Sequence, residues 1–137
     1  AGSAPFDAIT LWDVLEHIRD PWHLLGRLAP LLDAGGVLLV RVPDARALTA
    51  LSGVGAQAYL ALCHPTNPEE HPHHYTPMSL EAIAARAGFA LGDVQAARDD
   101  ERVVSAWTPL DRRVRAALHR RARGVPYEFT ATLQRTG

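Results

Sequence analysis

Lysine is missing from this chain of 137 residues, and all 14 of its basic positions are arginine. The absence reads first as coding bias and second as selection for planar guanidinium contacts. Fifteen acidic residues bring the net charge to −1, too little positive charge for a general nucleic-acid binder. A single cysteine, Cys63, excludes an internal disulfide and offers no zinc-ribbon spacing. No apolar run approaches the roughly 18 residues of a membrane span, and no signal-peptide pattern opens the chain. The expected compartment is therefore the cytoplasm, with no membrane partner. No glycine-rich loop stands ahead of the first apolar segment, so the usual cradle for a phosphate or nucleoside is lacking there.

What is present describes one globular domain over residues 1–137. Hydrophobic residues make up 47% of the chain, and a chain of this length buries roughly two thirds of its unfolded surface. Phe6 to Trp12 is apolar on both faces, as in a strand covered from two sides. A short polar turn follows, Asp13-Val14-Leu15-Glu16-His17. Asp20 then stands at a helix N-cap position with Pro21 at the first helical residue, where the missing N–H costs nothing. Leu24, Leu25, Leu28, Leu31 and Leu32 form the apolar stripe of that helix. Pro30 is expected to fray its last turn, and Gly35 to end it. Val37 to Val42 reads as a second strand, giving a βαβ unit with parallel strands.

The remainder is read the same way. Residues 44–62 are predicted helical, with an interruption from Ser52 to Gly55. Residues 63–77 carry four prolines and four histidines and form a loop. Thr76-Pro77 starts another helix, carrying Leu80, Ile83, Ala84 and Ala87 on its apolar stripe, and Gly88 closes it. Phe89 to Ala97 is a third strand, residues 110–123 a basic helix, and Tyr127 to Arg135 a last strand. The arginines of the 110–123 helix suit a solvated outer face better than a phosphate or membrane grip.

Open parallel sheets bind ligands beyond the carboxyl ends of their strands. That rule directs attention to Asp13, Glu16 and His17 after the first strand, and to Pro43-Asp44 after the second. Four motifs in order carry a family resemblance: Asp13 to Pro21 as D-V-L-E-H-x-x-D-P, Leu32 to Gly36 as L-x-x-G-G, Val42-Pro43, and His71 to Thr76 ahead of Ala87-Gly88-Phe89. Together they cover about 85 residues and resemble the second half of class I S-adenosylmethionine-dependent methyltransferases of the small-molecule type.

The resemblance implies an α/β fold: a partial Rossmann-like sheet of about four strands, three parallel and the last antiparallel, with helices on both faces. It places the last strand between the second and third. It implies S-adenosyl-L-methionine as cofactor and a small-molecule acceptor, with O-methyl transfer to a natural-product, sugar or quinone-like oxygen. Transfer to a hydroxyl benefits from a base near neutral pKa, so His17 and His74 are the catalytic candidates. Trp12, Asp13 and Glu16 are the cofactor-binding candidates, and His71, His73 and Tyr75 the substrate-binding ones.

The strands that grip the cofactor in this family have no counterpart ahead of Phe6. The chain by itself is therefore expected to bind the cofactor weakly or not at all and to be inactive. Strand 6–12 is expected to expose an edge, covered by a second copy or by a partner supplying the other half. Two other readings stay open. One is an interaction module that keeps the fold without the chemistry. The other is a metal site in the histidine-rich loop around Cys63, His64, Glu69, Glu70 and His71, although their spacing matches no familiar metal site and no metal ligand is assigned.

Overall fold

The computed structural model describes residues 6–46, 71–97, 113 and 128–136. Four strands form one sheet: β1 (Phe6–Trp12), β2 (Leu32–Pro43), β3 (Phe89–Ala97) and β4 (Glu128–Arg135), in the order β1-β2-β4-β3. Strands β1 and β2 are parallel, and β4 runs antiparallel to both β2 and β3. Three strands thus share one direction, and the last in sequence is inserted between the second and third, as expected. Tyr127 and nearly all of the predicted 110–123 helix lie outside the described residues, as does most of 44–62.

Helix α1 (Pro21–Leu28) begins at Asp20 with proline in its first turn. The Asp20 side chain makes no capping bond. Its carbonyl instead accepts the first helical N–H groups, from His23 and Leu24. Pro30 acts as anticipated: the α-helix stops at Leu28, and Ala29–Leu31 tightens into a single 3₁₀ turn.

Two boundaries need correction. Leu32 is not on the helix stripe; it opens β2 and is 2% exposed. Gly35 does not end a helix either, because it already lies within β2. The physical reason is at Gly36. A Cβ there would stand 2.9 Å from the carbonyl oxygen of Phe6. The neighbouring backbone passes too close for any side chain, and the pairing slips between Phe6 and Ala8. A glycine pair that reads as a helix stop is here a close-approach site in a strand.

Helix α2 (Pro77–Arg86) carries a reciprocal cap. Thr76 Oγ1 accepts from the Ser79 N–H at 3.1 Å, and Ser79 Oγ accepts from the Thr76 N–H at 2.9 Å. Gly88 leaves the helix with φ of +82°, a conformation that costs a side-chain-bearing residue.

The core lies on one face of the sheet. Leu38, Val40 and Val42 alternate inward along β2, and Phe129, Ala131 and Leu133 along β4, against Leu25 of α1 and Leu80 and Ala84 of α2. Strand β1 contributes less than its apolar sequence suggests. Only Ile9 and Leu11 are half-buried, while Phe6 is 49% and Trp12 46% exposed. Among the described residues β1 is an edge, so it lacks the second neighbour that a strand apolar on both faces is built to meet. None of the described helices is long and apolar enough to cross a membrane.

Candidate active site at the carboxyl ends of the strands

The carboxyl end of β1 turns abruptly. Asp13 takes the left-handed region, with φ of 53°, where a residue other than glycine is uncommon. Its N–H donates to the Arg41 carbonyl at 3.1 Å, extending the parallel ladder by one bond. Arg41 then grips the Asp13 carboxylate with two donors, Nε to Oδ1 and Nη2 to Oδ2. The same guanidinium lies 5.5 Å from the Trp12 ring centre and 3.6 Å from a Glu128 oxygen at the start of β4. Trp12 and Arg41 are register partners, so this cluster is built on adjacent strands.

The next residues form the 3₁₀ turn Leu15–His17. Leu15 drops into the core and Glu16 follows it, 2% exposed. Its Oε2 has no hydrogen-bond partner among the described residues. Burial pushes its pKa above the ordinary 4.5. A hydrogen bond from its own backbone opposes this, and the charges of Asp13 and Glu128 add to it.

The histidine segment closes over this turn. An isolated parallel bridge joins Asp44 to Tyr75, and the Ala45 N–H donates to the Tyr75 carbonyl at 2.7 Å. That bridge docks residues 71–76 beside the end of β2. The Tyr75 hydroxyl donates to the Leu15 carbonyl at 3.2 Å, and the His73 N–H to the Glu16 carbonyl at 3.4 Å. His73 Nε2 donates to the Arg19 carbonyl at 3.0 Å, and the His17 and His71 rings meet edge to face with centres 4.3 Å apart.

Of the residues singled out from sequence, Trp12, Asp13, Glu16, His17, His71, His73 and Tyr75 thus share this end of the sheet. Two of them have their polar groups committed to structure. Tyr75 is 1% exposed, with its hydroxyl engaged at Leu15; burial and then the Glu16 charge raise its pKa far above the usual phenol range. His73 is tied to Arg19. His74 stays exposed, but partial desolvation of the ring, then the neighbouring His73, lower its pKa below 6.5.

Arg41 was not anticipated as a site residue, and Asp44, expected at the end of the second strand, was given no role. Asp44 is 1% exposed and is held by the Arg46 side chain and N–H. The one hint in sequence is Arg41 itself, a charge inside Leu38-Leu39-Val40-Arg41-Val42. Among the described residues, no three His, Cys, Asp or Glu side chains are grouped to hold a metal ion. Cys63, His64, Glu69 and Glu70 lie outside the described residues.

A sheet of this kind, with an antiparallel last strand inserted beside parallel ones, is that of the class I S-adenosylmethionine-dependent methyltransferases. The chain belongs to that family: a family model described as a methyltransferase domain matches residues 1–94. It is 37% identical over 97 residues to the ubiquinone biosynthesis O-methyltransferase of Xylella fastidiosa, and 38% over 98 residues to that of Xanthomonas axonopodis. The match covers 69% of this chain but 39% of the Xylella protein, so the chain spans about two fifths of such relatives.

Solved structures agree on the fold. A Haloferax volcanii methyltransferase, solved with a methyltransferase activator, superposes with a TM-score of 0.64 at 15% identity, covering 97% of this chain and 55% of that one. The O-methyltransferase of neocarzinostatin biosynthesis, bound to S-adenosylmethionine and a hydroxy-methyl naphthoic acid, gives 0.56 at 18% identity, covering 96% and 29%.

Proposed function

We propose that this chain is the acceptor-side half of an S-adenosylmethionine-dependent small-molecule O-methyltransferase. The observation that carries the reading is the histidine segment 71–76, pinned by backbone and ring contacts over the acidic turn at the carboxyl end of β1. The ubiquinone-pathway relatives support an aromatic, quinone-like oxygen as the acceptor.

The residues present suit the cofactor's charge. Asp13 and Glu128 set two carboxyl groups against the Arg41 guanidinium, and Glu16 lies within reach of both charges. The local balance is acidic, and the exposed Trp12 ring adds a face that attracts cations. Both favour a sulfonium and an ammonium group. When bound, the cofactor supplies a methyl group on a positively charged sulfur. The chain's own part is to align the acceptor, exclude water and accept its proton; alignment alone can supply several kcal/mol of barrier reduction. His71 and His73 build the acceptor wall, which Tyr75 holds in place from the core, while His17 and His74 exchange the released proton with water.

The test supplies the cofactor-gripping strands. The chain is fused behind the amino-terminal segment of the Xylella enzyme and given labelled S-adenosylmethionine with a dihydroxybenzoate. Label is expected in the acceptor with the fusion and not with the 137-residue chain alone. A fusion that binds S-adenosylmethionine yet transfers no methyl would favour an interaction module instead.

The 137-residue chain is also expected to pair with a second copy of itself along β1. That strand has no outer neighbour among the described residues, and it displays Phe6 and Trp12 to solvent. Unpaired N–H and C=O groups beside apolar side chains recruit another strand, most simply about a two-fold axis. Light scattering at about 100 μM should therefore show a dimer, whereas a monodisperse monomer with β1 amides protected from exchange would mean the edge is covered from within.

A further inference from the structure

We propose that Glu16 is a further catalytic residue, whose Oε2 receives the hydrogen bond of the acceptor's reacting hydroxyl and then its proton. This rests on the methyl-transfer reading above, and it moves Glu16 from the cofactor to the acceptor. Its starting point is an imbalance in the structure. The side chain is 2% exposed, yet Oε2 has no partner among the described residues. Buried polar atoms are nearly always paired, and an exception calls for an explanation such as a catalytic role.

Among the described residues the neighbours do not supply a donor. Asp13 and His17 flank Glu16 on its own turn, Glu128 approaches from β4, and Tyr75 from the histidine segment. Two of these are acids. The Tyr75 hydroxyl is given to Leu15, and the His73 N–H goes to the Glu16 backbone carbonyl rather than its side chain. Arg41 is turned to Asp13 and Glu128. In this proposal the donor that completes Oε2 is the acceptor's hydroxyl, since the end of the strands is where an open α/β sheet takes its ligand.

The same surroundings make Glu16 a useful base. Burial, with the Asp13 and Glu128 charges behind it, outweighs the backbone hydrogen bond and His17 and raises its affinity for a proton. A base moved toward the working pH removes a proton more effectively than a surface carboxylate. A phenolic hydroxyl is the matching partner, because it is more acidic than an alcohol. In the step, the acceptor O–H bond breaks and its proton passes to Oε2 while the new O–CH₃ bond forms. The methyl comes from a sulfonium donor whose S–CH₃ bond breaks, leaving the electron pair on a neutral thioether. His17 and His74, exposed above the turn, return the proton to water.

Catechol is the probe, titrated into the 137-residue protein by NMR for wild type and for Glu16→Gln, with thermal melts over the same pH range. Glu16→Gln is expected to weaken catechol about tenfold or more, the loss of one charge-assisted hydrogen bond. Saturating catechol is expected to lower the titration midpoint of the Glu16 carboxyl, since a donor favours the charged form.

The melts establish that the variant folds, and they carry their own sign. A pKa raised in the folded state means that Glu16's contribution is complete below the unfolded value of 4.5 and is lost as pH rises through the folded one. Glu16→Gln should therefore melt above wild type at about pH 8, by a margin that shrinks in acid. Three results overturn the assignment: catechol binding unchanged in Glu16→Gln, a Glu16 titration indifferent to catechol, or no catechol binding by wild type. Each leaves the methyltransferase reading standing, because turnover of the fusion tests that separately.

Discussion

Turnover of the fused enzyme is expected to fall by about 10²- to 10⁴-fold when His17 and His74 are both replaced by alanine, the usual cost of removing acid–base groups from a proton-transfer step. Affinity for S-adenosylmethionine should change far less. The argument is positional. His17 closes the 3₁₀ turn after β1, and His74 belongs to the segment docked over that turn, which the proposed function makes the acceptor side. Trp12 and Asp13, one step earlier in the chain, stand at the strand end with Arg41. A His74 pKa held below 6.5 keeps that imidazole neutral, and thus able to take a proton, over most of the physiological range. The measurement is kcat against donor KM for the single and double variants. Undiminished kcat in the double variant would return both histidines to structural duty, and parallel losses in kcat and donor affinity would place them at the cofactor.

The parts of this molecule that are legible in sequence are those that rest on local chemistry. Pro21, the Thr76-Pro77 start and Gly88 mark helix ends through backbone geometry, and the structure honours each. The apolar runs of β1 and β2 announce strands because each side chain's burial depends only on its own position in the pleat. The insertion of β4 between β2 and β3 has no local signature, and it followed from family resemblance alone. Tertiary causes hid the rest. Gly35 reads as a helix stop because nothing nearby in sequence reveals that the Phe6 backbone passes over its neighbour Gly36. Arg41 meets Asp13 across 28 residues, and Tyr75 meets Leu15 across 60. Glu16 is legible in sequence as a cofactor-binding candidate at the strand end, but its burial is not. Its burial is imposed by Tyr75 and the histidine segment, which return to it only after the chain has passed through β2.

Tyr75 joins the fold to the site, and truncating it to alanine is expected to destabilise the protein by about 3–5 kcal/mol, the range for removing a large buried aromatic side chain. The ring is 1% exposed and packs with Leu15, Leu80 and the rest of the core cluster. Its carbonyl and hydroxyl tie two separate pieces together: the carbonyl accepts from Ala45 beyond β2, and the hydroxyl donates to Leu15 beyond β1. Tyr75→Phe separates packing from pinning. It keeps the ring but leaves the Leu15 carbonyl with the Ile18 N–H as its remaining donor, and the expected cost is about 0.5–1.5 kcal/mol, that of one lost hydrogen bond. Denaturant midpoints at constant slope give both numbers. A site consequence should follow from the smaller change. With the hydroxyl gone, the histidine segment keeps its backbone bridge at Asp44 and the His73 contacts to Glu16 and Arg19 but loses its tie to Leu15, so the edge contact between His17 and His71 should loosen. NMR shifts of those two imidazoles in Tyr75→Phe would report this directly. If they do not move while stability falls, the hydroxyl serves only the core, and the histidine segment is held by its backbone contacts alone.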